Sequence, residues 1–173
     1  MLQWRVLFRA LRLMEFSGEV LAGQFFKGIP GPQFISPQAL ELLRQDRPRE
    51  AVYWFNAMDP VSPCGLGLAA FQQDLPRRLP GCHLVYHGPD LVVVSRQSGK
   101  RLQINVPAEH DRLEDYLAFL RYFLSRPVRP MRFVRVETIN DAPATGQKPY
   151  LSVLERWFEV VGDPKGVSLY QRH

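Results

Sequence analysis

Long apolar runs are missing from this 173-residue chain. Charge or proline interrupts every apolar stretch before the roughly 18 to 20 residues that a membrane span needs, and the N-terminus lacks the charged-then-apolar order of a signal peptide. Cysteine is scarce: Cys64 and Cys82 are the only two and form no C-x-x-C pair, which argues against a disulfide scaffold and a zinc finger. A G-x-x-x-x-G-K-[ST] phosphate loop is also lacking. Its nearest approximation, Ser98-Gly99-Lys100-Arg101, has neither the upstream glycine nor the hydroxyl that would hold magnesium. There is no internal repeat and no low-complexity tract. The resulting expectation is a cytoplasmic protein with reduced thiols, no membrane partner, no metal, and no cofactor or ATP hydrolysis of its own.

What is present is enough apolar material, 46% of residues, to bury a core in one domain or two small ones. A formal charge of +5 favours polyanionic partners, and its distribution matters more than its size. Residues 3 to 15 place Val6, Leu7, Ala10, Leu13 and Met14 near one helical face, with Arg5, Arg9 and Arg12 opposite. Ser17-Gly18 stops that helix. Two β-rich runs, 19 to 26 and 33 to 35, then flank a loop carrying Lys27, which predicts a hairpin with a long tip. Ser36-Pro37 caps a second helix bearing Leu40 and Leu43, expected to end before Pro48. Helix feeding into hairpin and then helix is the order of a recognition helix, its wing and a connector.

Beyond residue 48 an apolar strand at 51 to 57 ends at Asp59-Pro60, and runs at 83 to 87, 90 to 96 and 101 to 106 form a meander. Asp111 and Glu114 have the spacing of a capping box, opening a helix striped by Leu113, Tyr116, Leu117, Leu120 and Leu124. A strand at 131 to 139, a short helix opened by Pro149 and strands near 158 to 161 and 167 to 171 follow. The fold class is therefore α+β. Residues 1–48 are expected to be the C-terminal half of a winged helix with a connector helix, and 49–173 a small antiparallel, barrel-like β module with one or two packed helices.

The pieces that carry a family likeness run along almost the whole chain. They are Trp4-Arg5 through Leu11-Arg12-Leu13, Gly18-Glu19-Val20, Gly23-Gln24-Phe25-Phe26, Gly31-Pro32-Gln33-Phe34 with Ser36-Pro37-Gln38-Ala39-Leu40, Ala57-Met58-Asp59-Pro60, Leu79-Pro80-Gly81, and Val136-Glu137-Thr138-Ile139-Asn140. In this order the chain resembles the C-terminal region of Lhr-type (large helicase-related) ATP-dependent superfamily 2 helicases. It departs from them at Val61-Ser62-Pro63, where the family usually has Asn, and at Pro32, where an acid is frequent. The resemblance implies that two RecA-like motor domains, which translocate 3′ to 5′ along single-stranded DNA, precede these modules in the parent protein. ATP and magnesium would belong to that motor. The implied partners are DNA, single-stranded by preference, and motor domains of the same or a neighbouring chain.

From the residues themselves, Arg5, Arg9, Arg12 and Lys27 form one basic set that could meet phosphates, although an arginine stripe is also what any solvated helix face shows. The densest set is Arg121, Arg126, Arg129, Arg132 and Arg135, with no acid between them and Tyr122, Phe123 and Phe133 interleaved. Guanidinium groups can track a single strand while rings stack bases, each stack contributing roughly 1 to 3 kcal/mol. Arg77-Arg78 and Lys100-Arg101 are weaker candidates. No catalytic residue is assigned. Asp59 suits a turn acceptor, with a base-processing hydrolase using Asp59 or Asp141 as one rival reading and a structural or oligomerisation module as another. His83 and His87 lie on a strand that would hold them about 13 Å apart, so no metal site is expected.

Overall fold

The computed structural model describes residues 3–45, 49–67 and 75–172. Backbone proximity divides the chain into two compact units, Met1–Arg47 and Pro48–His173. Pro48, expected to close the second helix and mark the boundary, lies outside the described residues.

In the first unit α1 spans Trp4–Phe16 and ends in a Schellman motif. Glu19 N–H donates to Met14 O (2.8 Å) and Gly18 N–H to Glu15 O (3.1 Å), with Gly18 at φ +79°. The hairpin of β1 (Leu21–Gly23) and β2 (Gln33–Ile35) follows in antiparallel register, Ala22 opposite Phe34. The first of these strands is shorter than the expected 19 to 26. From Gln24 onward the backbone bonds to the Gln33 side chain: Oε1 accepts from Phe25 and Phe26 N–H, both at 2.8 Å, and Nε2 donates to Ile29 O at 3.0 Å. α2 covers Pro37–Arg44, and Ser36 caps it by accepting from Ala39 N–H at 3.2 Å.

In the second unit β3 (Val52–Asn56), β4 (His83–His87), β5 (Asp90–Arg96) and β6 (Arg101–Ile104) form an antiparallel meander. α3 (Leu113–Leu117) and α4 (Phe119–Ser125) come next, then β7 (Val134–Val136), β8 (Thr138–Ile139) and β9 (Ala142–Pro143). α5 (Lys148–Leu154), with a proline in its first turn, and the hairpin β10 (Phe158–Asp163) to β11 (Gly166–Gln171) complete the order. One sheet has six strands in the order β3-β4-β5-β6-β8-β9, and a second has three, β10-β11-β7.

Among the described residues neither sheet closes on itself, which corrects the barrel-like expectation. β7 leaves for the three-stranded sheet, β8 pairs with β6 in parallel over two residues, and β3 never meets β9. The expected strand at 131 to 139 is thus two strands in different sheets, with the crossing at Glu137, where Lys100 O accepts from Glu137 N–H (2.7 Å) and Thr138 N–H (3.2 Å). The single helix expected after residue 111 is also divided, at Ala118, where tighter bonds spanning three residues, Ala118 to Asp115 and Arg121 to Ala118, replace the regular ladder. Its apolar stripe is nevertheless buried, joined by Phe119 and Phe123. The Asp111–Glu114 capping box does not form. Arg112 N–H is taken by His110 Nδ1 (3.1 Å), while Glu114 turns to Arg156 and accepts from Trp157 Nε1 at 3.2 Å.

The main core joins Val85, Val93, Leu102 and Ile104 of the larger sheet to Tyr116, Phe119 and Leu120, and to Val134, Val136 and Leu169 of the smaller one. A second, smaller cluster of Ala57, Cys64, Cys82, Leu84 and Val94 lies on the other face of the larger sheet.

Candidate nucleic-acid interface

The five arginines between residues 121 and 135 do not share one environment. α4 buries Phe119, Leu120, Phe123 and Leu124 and leaves Arg121, Tyr122 and Ser125 exposed. The Arg121 guanidinium lies over the Trp157 ring, 4.2 Å from its centroid, a cation–π contact at an indole that is itself 42% exposed. Arg126 Nε donates to Arg129 O at 2.8 Å and closes the loop after α4. Arg129, at φ +50°, and Arg132 are exposed. Among the described residues no carboxylate lies within ion-pair distance of Arg121, Arg126, Arg129 or Arg132. Arg135 differs, because on β7 its two terminal nitrogens meet both Asp163 oxygens at 2.6 and 2.5 Å and Nη1 also meets buried Ser168 Oγ at 3.1 Å. Hydrogen bonds from Arg135 hold the Asp163 carboxyl down to about 2.

In the N-terminal unit Arg5 and Arg9 are exposed, whereas Arg12 pairs with Glu15 and sits 5.3 Å from the centroid of the Phe16 ring. The packed side of α1 is formed by Phe8, Leu11 and Met14, with Phe8 and Phe34 ring centroids 6.0 Å apart. Val6 and Leu13, expected on that side, are 61% and 69% exposed. The packed face is therefore turned about one residue from the expected stripe. Lys27 is exposed at the turn of the wing loop that Gln33 secures.

The acids considered for chemistry are occupied by structure or lie at the surface. Asp59 Oδ1 accepts from Val61 N–H at 3.0 Å, an Asx turn. Asp141 follows Asn140 in a two-residue hairpin turn with φ of +61° and +51°, the conformation that joins β8 to β9. His83 is buried against Phe123, with ring centroids 4.8 Å apart, and its Nε2 lies 3.0 Å from Asn56 Nδ2. Burial first, and the Arg126 charge second, bring its pKa down to about 4. His87 lies in a separate network, with Nδ1 2.7 Å from the Tyr116 hydroxyl and Nε2 3.2 Å from Glu50 Oε2. No group of three His, Cys, Asp or Glu side chains among the described residues is arranged to hold a metal ion. No helix among them is long and apolar enough to cross a membrane.

One arrangement was not anticipated. β5 and β6 place Arg96 directly opposite Arg101 across the Gln97–Lys100 turn, at the wall between two clefts. The hairpin spacing was legible, since residues flanking a tight turn pair across it. Only Arg101 stood out in the sequence, through its neighbour Lys100.

Residues 1–55 match the family model described as large helicase-related protein, winged-helix domain. The helix, hairpin and helix of the N-terminal unit lie within that match. No curated protein matches the chain.

Proposed function

We propose, for a chain whose first 55 residues belong to the winged-helix domain of large helicase-related proteins, that it is an accessory nucleic-acid-binding module holding a single strand relative to a helicase motor. The motor is not in these 173 residues, which carry no phosphate-loop pattern. One observation carries the binding half of the proposal: Arg121, Arg126, Arg129 and Arg132 have no carboxylate partner among the described residues, and Tyr122 in the same stretch is exposed. Guanidinium groups free of carboxylates and an exposed ring in one stretch suit a flexible strand, because charge follows its backbone and rings accept its bases without regard to sequence. Lys27, Arg5 and Arg9 would add phosphate contacts from the winged-helix unit.

Fluorescence anisotropy with a labelled single-stranded oligonucleotide at low salt tests this. The wild-type chain is expected to bind below about 100 µM. The R126A/R129A/R132A variant is expected to bind more weakly and to lose about 0.7 from the slope of log K against log salt for each phosphate contact removed. No binding by the wild type, or an unchanged slope in the variant, would count against the reading.

A further inference from the structure

The arginine pair on the β5–β6 hairpin presents an unresolved electrostatic problem. Arg96 and Arg101 are register partners in an antiparallel ladder, so both side chains project from the same face of the sheet. Like charges directly opposite each other destabilise a sheet. Among the described residues neither arginine is within ion-pair distance of a carboxylate, and neighbouring Lys100 is paired with Glu137 instead. The turn joining them is rigid, with Gln97, Ser98 and Gly99 at φ of +52°, +56° and +98° and Ser98 N–H donating to Gly81 O at 2.7 Å. The two arginines are therefore held opposite each other at the backbone.

Both arginines line two clefts. On one side is a polar cleft of about 470 Å³ with Gln103, Thr138 and Asp141 in its wall. On the other is a cleft of about 510 Å³ with Pro76, Leu79 and Cys82, to which Arg77 adds a third guanidinium. We propose that Arg96 and Arg101 bind one phosphodiester of a single nucleic-acid strand, with the adjoining base lying in the cleft of Pro76 and Leu79. This deepens the nucleic-acid reading above and rests on it, adding a second point of contact on the larger sheet. An oxyanion between two guanidiniums turns a repulsion into two charge-assisted interactions. Gln103 and Thr138 offer further donors, while the Asp141 carboxylate in the same wall repels an anion from its own vicinity.

The test uses the full chain with a labelled oligothymidine and, separately, with inorganic phosphate. R96Q/R101Q is expected to weaken oligothymidine binding by about tenfold while leaving the melting temperature unchanged or raised, since the repulsion is removed. D141N is expected to tighten binding. The same point is read without substitution by NMR of the arginine side-chain N–H resonances, where Arg96 and Arg101 should shift on adding the oligonucleotide. Strand affinity within twofold of wild type in R96Q/R101Q, or static Arg96 and Arg101 resonances in the wild-type chain, overturns this site and leaves the accessory-module reading standing. A wild-type chain that binds no strand overturns both. Inorganic phosphate moving these resonances at lower concentration than the strand does marks a free-anion site and overturns the proposal.

Discussion

His83 and Arg135 show how far a residue's role depends on partners distant in sequence. His83 is buried in an aromatic setting, and its pKa of about 4 lies below the ordinary 6.5, so between those values the unfolded chain binds a proton that the folded chain does not. Stability is therefore expected to fall as pH drops from about 6.5 to about 4, by no more than about 3 kcal/mol, and to show no further loss from this group below that range. Urea unfolding of wild type and H83Q across this range checks it: the difference between the two should shrink towards acid, and parallel curves would show that His83 does not titrate this way. Arg135 looked in the sequence like its neighbours Arg129 and Arg132, because nothing in an arginine run reveals a carboxylate 28 residues downstream. R135A is expected to lower the melting temperature, return Asp163 toward its ordinary 3.8 and leave strand affinity in place, measured by calorimetry, carboxyl NMR and anisotropy. Equal loss of affinity in R135A and in the loop arginines would mean that Arg135 also contacts the strand.

Elements were legible where punctuation was strong. β4 and β5 begin and end where Gly88-Pro89 and Ser98-Gly99 placed them, and Ser36 caps α2 through its own hydroxyl. Two longer runs with the pattern of a single element each form two. The stripe from Leu113 to Leu124 records which residues face inward, but a stripe is indifferent to one tightened turn at Ala118. Extended residues around Glu137 likewise give no sign of which sheet takes them, because pairing is decided by Lys100 O and by β11, far away in sequence. The β5–β6 turn meets β7 at Gly99, where φ is +98° and an added Cβ would lie 2.5 Å from Val134 Cγ1. G99A is expected to destabilise the protein by about 1 to 3 kcal/mol through combined backbone strain and overpacking. Equilibrium unfolding measures this directly, and a neutral result would mean that the β5–β6 turn and β7 separate without cost.

At the scale of the whole molecule the two units differ in what they bury. Both core clusters draw only on residues 52 and beyond, whereas Val20 is the one buried hydrophobic side chain among the described residues of the N-terminal unit. Residues 49–173 expressed alone are therefore expected to unfold in a single cooperative thermal transition, and residues 1–47 alone to show none, since so short a segment buries too little to hold itself. A gradual, structureless melt of 49–173 would contradict that division. Apolar spacing and hairpin punctuation point to an α+β chain with a wing, while the arginines committed to ion pairs, the open edges of both sheets and the Arg96–Arg101 wall arise from long-range pairing that no local pattern encodes. The crossing at Glu137 has a consequence in time as well as in space. The β4 to β6 hairpins can pair from near neighbours as soon as they are made, but β3 must wait for β4 across residues 57–82, and among the described residues β7 has no strand beside it until the chain has been synthesised through β11. Closure of the shared core is therefore a late, slow event governed by non-local contacts, and during synthesis the emerging chain carries the unpaired edge of β7 until then.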